Sequence, residues 1–330
     1  MHEIPRLLAL SDGAAGNARQ ALALAEALAR LLGGPDAPPP VALRLDARAP
    51  WRWLSPRCAP GAVRAFGDAL APWLAAPPTL AVGCGRQAAL ATRLLRARGA
   101  RVIQILDPRL DPAHWDLVVA PAHDGLRAAN ALATRGSLHP VDDAWLDAGR
   151  AAWPALGALP GPRTALLLGG PVRGAPWTAR DAAAWAATLA DWHRDGGSVL
   201  ATGSRRSPAW LAPALAAALP GPAAGTPRWR GEADGPNPYA GLLGWADRIV
   251  VGPDSVNLAS EACATGVPVF VAGLALARGK HRRFLEGLLA DGHLRRLEEG
   301  PDAPAPPPLR ERAALAAALR ARLGLDAPRG

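Results

Sequence analysis

The segment whose residue types bear most directly on chemistry is Asp254-Ser255-Val256-Asn257-Leu258-Ala259-Ser260-Glu261-Ala262, continuing into Thr265-Gly266-Val267-Pro268-Val269. A short apolar run ends at Asp254 and a helical pattern starts beside it. The unpaired N–H groups of a helix N-terminus are therefore expected there, an arrangement that holds anions. Ser255 adds a hydroxyl donor. Glu261 is spaced to accept from both hydroxyls of a ribose, with capping or ion pairing inside its own helix as the plainer role. Gly266-Val267-Pro268 makes a tight turn into the next strand.

A second segment, Thr202-Gly203-Ser204-Arg205-Arg206-Ser207-Pro208, lies between a predicted strand and a predicted helix, with Ser207 as N-cap and Pro208 at the first helical position. Arg205 and Arg206 could pair with a diphosphate through bidentate hydrogen bonds, supplying charge that a metal would otherwise bring. A solvated arginine pair is the alternative. No metal is expected, because Asp142-Asp143 sits in a connecting stretch and forms no Asp-x-Asp motif. Another strand, Arg163–Leu168, runs into Gly169-Gly170, whose backbone can approach phosphate closely.

A third group sits in the first half of the chain. Ser11-Asp12-Gly13-Ala14-Ala15-Gly16 forms the first strand-to-helix turn, with Gly13 and Gly16 permitting close backbone approach. The spacing is not Gly-x-Gly-x-x-Gly, which disfavours a nicotinamide enzyme. Asp12 could orient an acceptor hydroxyl or act as a general base, or simply form an Asx turn. Arg86 (after Gly83-Cys84-Gly85), Asp107-Pro108-Arg109 and His123-Asp124 follow further strands on the same sheet edge, and the His-Asp pair could serve acid–base chemistry. Asn237 and Tyr239, the only tyrosine, lie in a loop before a helix.

These groups need a scaffold, and the alternation of short apolar runs with amphipathic stretches is the pattern of βα units around parallel sheets. Strands are predicted at 6–11, 41–45, 79–82, 102–106, 117–120 and 138–141, and helices at 62–71 and 87–98. Leu24, Leu28, Leu31 and Leu32 define one apolar face of the first helix. Proline-rich 142–162 reads as a connection. The second half is predicted to hold strands at 163–168, 198–202, 228–229, 248–251 and 267–271. Its helices are placed at 178–193, 208–219, 257–264 and 282–290, with a last one at 309–323. The division is 1–160, 161–305 and a C-terminal helix within 306–330 that packs back on the first domain.

The 330 residues suffice for two cores, and 50% hydrophobic with 20% charged residues is a globular composition. The formal charge of +9 is spread over scattered arginines with no basic tail, so anionic nucleotides or acidic headgroups are expected as partners and nucleic acid is not. Cys58, Cys84 and Cys263 fit neither a disulfide framework nor a metal site, and no secretion signal or apolar run of membrane-spanning length is evident. A cytoplasmic protein, peripheral to the inner membrane at most, is the expectation. The Ala-, Arg-, Pro- and Gly-rich composition points to a GC-rich bacterial genome. Twelve tryptophans are unusual, and Trp51-Arg52-Trp53 in a Pro-rich stretch is expected to pack its indoles on the first domain, with lipid contact as the alternative.

The Ser255, Glu261-Ala262 and Gly266-Val267-Pro268-Val269 pattern resembles the donor-nucleotide region of GT-B glycosyltransferases and UDP-GlcNAc 2-epimerases. Other features run over nearly the whole chain: Ser11-Asp12-Gly13 with Gln20, Pro50-Trp51-Arg52-Trp53-Leu54, Gly85-Arg86, Asp107-Pro108-Arg109 and Pro121-Ala122-His123-Asp124. Gly169-Gly170, Ser204-Arg205-Arg206, Asn237-Pro238-Tyr239 and Asp254-Ser255 complete the set. Together they resemble the mitochondrial-fission "elongated mitochondria" family. Cys84 between the glycines and Ser207 in place of a commoner threonine depart from its pattern.

The resemblance implies a GT-B-like α/β fold: two Rossmann-like doubly wound domains, an interdomain cleft and a C-terminal crossing helix. It implies one of two functions. The first is glycosyl transfer or nucleotide-sugar hydrolysis with a uridine diphosphate sugar. In that case no cofactor is needed beyond the substrate, and lipid contact by Trp51-Arg52-Trp53 would bring a lipid-linked or membrane-surface acceptor within reach. The second is a non-catalytic adaptor with a protein partner, as plant members are associated with recruiting a dynamin-type GTPase.

Overall fold

The computed structural model describes residues 6–204, 206–219 and 235–325. The expected strand at 228–229 lies outside them. The described residues form two compact units, one reaching to Pro140 and resuming at Glu311, the other running from Val141 to Arg310.

In the first unit the order is β1 (Leu7–Ser11), α1 (Ala15–Gly33), β2 (Val41–Arg44), α2 (Trp51–Leu54), α3 (Ala71–Ala75), β3 (Leu80–Cys84), α4 (Arg86–Arg96), β4 (Arg101–Ile105), β5 (Leu117–Pro121) and β6 (Ala131–Thr134). All six strands are parallel in the order β2-β1-β3-β4-β5-β6. Central strands buried on both faces need continuous apolar runs, which Leu7–Leu10 and Leu80–Val82 supply.

The second unit holds α5 (Asp143–Ala152), α6 (Pro154–Gly157), β7 (Arg163–Leu167), α7 (Ala179–Trp192), β8 (Ser198–Thr202), α8 (Leu211–Ala218), α9 (Tyr239–Trp245), β9 (Arg248–Val251), α10 (Val256–Cys263), β10 (Val269–Val271), α11 (Gly279–Ala290) and β11 (Arg295–Arg296). Its parallel sheet runs β11-β10-β9-β7-β8. The last helix, α12 (Arg312–Arg322), belongs to the first unit, where Leu315, Leu319 and Leu323 join Leu24 and Leu28 of α1 in one core. The Glu311 carboxylate ties its start down by accepting the N–H groups of Arg135 (2.8 Å) and Gly136 (3.0 Å).

Several sequence expectations are corrected. The sixth strand is Ala131–Thr134, and 138–141 is irregular. The stretch 62–71 is two 3-10 turns around Gly67 followed by α3, because Gly61 and Gly67 hold positive φ angles that interrupt a helix. The expected connection at 142–162 folds as α5 and α6. Asp142 caps α5 by accepting the Trp145 N–H at 2.9 Å, and Gly149 of α5 passes against the Ala240 carbonyl of α9.

At the amino-terminal edge of the second sheet sits a buried polar knot. Arg248 Nε donates to Thr164 Oγ1 at 2.7 Å, His193 Nε2 lies 2.8 Å from the same hydroxyl, and His193 Nδ1 faces the Gly196 carbonyl at 3.1 Å. A carbonyl can only accept, so Nδ1 carries the proton and Nε2 accepts from Thr164, which suits a neutral ring. Burial, with Arg248 reinforcing it and the Gly196 carbonyl opposing it, lowers the His193 pKa below the ordinary histidine value.

Below about pH 6.5 the unfolded chain therefore binds the proton that the native state resists, so stability falls as acid is added. Tm is expected to drop between about pH 7.5 and about pH 5.5, and His193→Gln should flatten that part of the profile. An unchanged slope in the variant would contradict the assignment.

Candidate functional site

A ligand crevice in a doubly wound sheet opens at the carboxyl ends of the strands, where the strand order reverses. In the second sheet that point lies between β7 and β9, since β8 pairs on one side of β7 and β9 on the other. The chain leaves β7 through Leu168-Gly169-Gly170, β8 through Gly203-Ser204 and β9 through Gly252-Pro253-Asp254. These exits converge.

The Asp254 side chain is fully buried and accepts three hydrogen bonds: from the Gly170 N–H (3.0 Å), the Trp177 indole N–H (3.1 Å) and Arg206 Nη2 (3.2 Å). Burial pushes its carboxyl above the usual carboxylate range, while Arg206, Trp177 and the Gly170 N–H pull the other way. The Ser204 hydroxyl donates to the Gly169 carbonyl, and Ser207 Oγ donates to the same oxygen at 3.2 Å while accepting the Ser204 N–H at 2.8 Å. That bonding takes Ser207 away from the capping role expected of it, and α8 starts only at Leu211. The Arg206 side chain remains 47% exposed. Arg205 lies outside the described residues.

Ser255 caps α10, accepting the Leu258 N–H at 3.3 Å, so the helix N-terminus stands directly after Asp254. A hydroxyl that accepts can donate at the same time. Six residues on, Glu261 is only 1% exposed, and its carboxylate accepts the hydroxyl of Tyr239 from α9. Asn237 shapes the approach to that tyrosine by accepting the Tyr239 N–H at 3.0 Å.

In the first unit the reversal lies between β1 and β3. Asp12 follows β1 and accepts from the Ala14 N–H (3.2 Å) and from Asn17 Nδ2 (3.0 Å), an Asx turn that closes over Gly85. The Arg44 side chain lies over Gly13, and Gly16 falls in the first turn of α1. Cys84 is buried, and both burial and the Asp12 charge raise its pKa far above the ordinary thiol range, so it is a protonated donor to Asn17 Oδ1 at 3.6 Å. Arg86 opens α4 and donates to the Arg52 carbonyl at 3.0 Å.

His123 and Asp124 follow β5, three strand spacings from β1, which is roughly 14 Å. They therefore stand apart from Asp12. His123 Nε2 and Asp124 Oδ1 are 3.9 Å apart, too far for a hydrogen bond. Between them, the loop after β4 holds Leu106 and Arg109 at positive φ (71° and 58°), backbone strain of the kind that collects at functional loops.

The structure thus gathers Gly169, Gly170, Ser204, Arg206 and Asp254 into one network beside Ser255. It pairs Tyr239 with Glu261 and puts Asp12 over Gly85. Sequence reasoning missed Trp177, for which its position in the loop leaving β7 was the available signal. It also missed the basic start of α11, where five of the six residues Arg278–Arg283 are Arg, Lys or His and include the only lysine. Arg278 N–H donates to the Gly174 carbonyl at 2.7 Å and the His281 ring lies against Gly174, which ties this basic turn to the β7 loop.

Among solved structures, a Listeria monocytogenes protein assigned as a UDP-N-acetylglucosamine 2-epimerase aligns with TM-score 0.53 at 11% identity over 99% of each chain. UDP-GlcNAc 2-epimerase from Neisseria meningitidis, solved with UDP-GlcNAc bound, aligns with TM-score 0.52 at 11% identity over 96% of this chain and 100% of that one. Likeness at such identity establishes the fold, which is GT-B-like with two Rossmann-like domains. The mitochondrial fission protein ELM1 of Arabidopsis thaliana is 31% identical over 279 residues, which is 74% of this chain and 64% of that protein, so the chain spans less than two thirds of that relative's length. The family model for mitochondrial fission ELM1 matches residues 15–323, and on that match this chain belongs to the mitochondrial fission ELM1 family.

Proposed function

We propose that the second unit binds a nucleoside diphosphate sugar, with a uridine diphosphate sugar as the ligand and glycosyl transfer or hydrolysis as the reaction. The observation that carries this reading is the network at the β7/β9 reversal. A glycine pair lets Asp254 and Arg206 pack close against the loop after β7, a half-exposed arginine side chain is oriented by a buried carboxylate, and a capped helix N-terminus follows at once. Those are the parts that hold a diphosphate without metal.

Arg206, with Arg205 beside it in sequence, would neutralise the diphosphate, and Ser255 with the first turn of α10 would hold phosphate oxygens. In the reaction an acceptor hydroxyl or water attacks the anomeric carbon and the bond to the diphosphate oxygen breaks. The acceptor proton passes to a base, for which Asp12, His123 and Asp124 are the candidates. The fold shared with epimerases that act on UDP-GlcNAc supports a uridine ligand. Ribose binding by Glu261 would compete with the Tyr239 hydroxyl for the carboxylate.

A second reading, binding without turnover, draws on one specific observation. Asp12, one of the three base candidates, is held by two donors, which stabilises it as a structural acceptor instead of a base.

Thermal unfolding with and without about 1 mM UDP tests the first reading, and Tm is expected to rise by at least about 3 °C. Arg206→Gln, compared with itself in the absence of ligand, should lose most of that rise. No rise with UDP, ADP or GDP ends the nucleotide reading. A rise without sugar release from UDP sugars favours binding without turnover.

A further inference from the structure

Five large hydrophobic side chains are exposed among the described residues, and three of them, Trp53 (69%), Leu54 (39%) and Val63 (46%), fall within eleven positions of one surface segment of the first unit. Local geometry puts them there. Successive residues of a helix are about 100° apart, so α2 cannot bury both of its indoles. Trp51 turns inward, its Nε1 donating to the Pro60 carbonyl at 3.1 Å and its ring 3.1 Å from where a Gly61 Cβ would sit. Trp53, two positions on, turns outward. The expectation that both indoles pack on the domain therefore holds for Trp51 alone.

The segment is pinned as a unit. Arg48 N–H donates to the Ala65 carbonyl (2.8 Å), Ser55 Oγ to the Trp51 carbonyl (2.7 Å), Arg93 Nη1 to the Pro56 carbonyl (2.7 Å) and Arg86 Nη2 to the Arg52 carbonyl (3.0 Å). The protruding apolar side chains are thus set on a fixed base.

Charge decides what would cover them. Residues 47–67 contain Arg48, Arg52, Arg57 and Arg64 and no acidic residue, and all four arginines are exposed. Two exposed acids stand just outside, Asp46, which pairs with Arg52, and Asp68, and Arg86 adds a further exposed cation at the base of α2, so the basic side chains still outnumber the acidic ones. An exposed indole and two exposed aliphatic side chains in a segment that carries four exposed arginines match a bilayer interface, where tryptophan sits at headgroup level and cations meet lipid phosphates. We propose that residues 48–64 dock this protein on an anionic phospholipid surface, with Trp53, Leu54 and Val63 entering the interface and Arg48, Arg57 and Arg64 binding headgroup phosphates. The docking is independent of nucleotide binding.

Sedimentation of the full chain with phosphatidylcholine vesicles, with and without phosphatidylglycerol, tests it. Binding to the mixed vesicles is expected to exceed binding to pure phosphatidylcholine by at least about tenfold and to be lost at about 0.5 M salt. Trp53→Ser with Leu54→Ser should lower it at least about tenfold, and Arg57→Glu with Arg64→Glu comparably, with unfolding midpoints unchanged. Val41→Ser, an exposed apolar position (49%) outside the segment, is the control and should leave binding intact. No preference for anionic vesicles, or equal binding by the Trp53→Ser variant, overturns the proposal. Self-association that Trp53→Ser abolishes, without vesicle binding, would do the same and assign the surface to a second copy of the chain.

Discussion

Asp254→Ala is expected to destabilise the second unit by about 3 kcal/mol, one of the two largest losses anticipated for a single substitution in this chain. Three donors converge on that carboxylate, and their surroundings differ. The Gly170 N–H and the Trp177 indole are buried, the latter between Trp185 and Trp210, with ring centroids 5.5 and 5.4 Å away. Removing the acceptor leaves both without a bond in a place water does not reach, and each such group costs about 1–3 kcal/mol. Arg206 is half-exposed and rehydrates, so its share is small.

Asp254→Asn keeps one acceptor oxygen but turns an amide toward a donor, and about 1–2 kcal/mol is expected. The pH dependence separates the two effects. Because burial raises the Asp254 pKa, the native state holds that proton longer than the unfolded chain does. The stability so conferred is complete below about pH 3.9 and is lost as pH rises through the folded value. The asparagine variant has no such loss, so its deficit relative to the parent should narrow from pH 4 upward. Urea unfolding followed by tryptophan fluorescence reads both. A cost for Asp254→Ala below about 1 kcal/mol would mean that the three bonds do not form in solution.

How far the sequence discloses such a network depends on the distance over which its parts communicate. The inner strands of both units are legible because buried parallel strands need unbroken apolar runs, and Ser198–Thr202 matches to the residue, whereas the two-residue edge strand Arg295–Arg296 carries no apolar run and is not among those expected. The sixth strand was misplaced. Ala131–Thr134 is an edge strand with weak apolar signal, while Leu138-His139-Pro140-Val141 looked stronger despite a proline that an inner strand would not accept. Prolines in 142–162 suggested a connection, but Pro154 stands at the first turn of α6, where a missing N–H costs nothing.

The site followed the same rule. Loops at strand ends are local, so Gly169-Gly170, Ser204, Arg206, Asp254 and Ser255 could be named from spacing. The bonds among them are not local, since Asp254 meets Gly170 across 84 residues and Trp177 across 77. The Tyr239–Glu261 pair spans 22 residues and depends on where the packing of α9 on α5 sets its first residue, which periodicity does not encode. Ser207 shows the converse. Ser-Pro before an apolar stretch reads as a helix cap, but Ser207 Oγ accepts the Ser204 N–H of its own loop while donating to the Gly169 carbonyl, and α8 begins only at Leu211.

Gly170→Ala should cost about 3–5 kcal/mol, for two separable reasons. The residue has φ of +140°, a region that an L side chain enters only at a penalty of order 1–3 kcal/mol. A Cβ there would also overlap the Arg206 carbonyl oxygen, a backbone atom that cannot swing aside like the end of a side chain. Either the loop after β7 or the loop after β8 must move, and overpacking of that kind adds about 1–3 kcal/mol.

Gly196→Ala isolates the first reason. Its φ is +125°, and nothing lies within 4 Å of the added Cβ, so it should lose only the conformational part, about 1–2 kcal/mol. The difference between the two variants measures the close approach of the two loops. That approach is what holds Arg206 against Asp254, so the Gly170→Ala protein, even where it remains folded at low temperature, should also lose the UDP-dependent rise in Tm, while Gly196→Ala keeps it. Equal costs for the two variants would show that the loops stand apart in solution and that the arginine is not held where a diphosphate would need it.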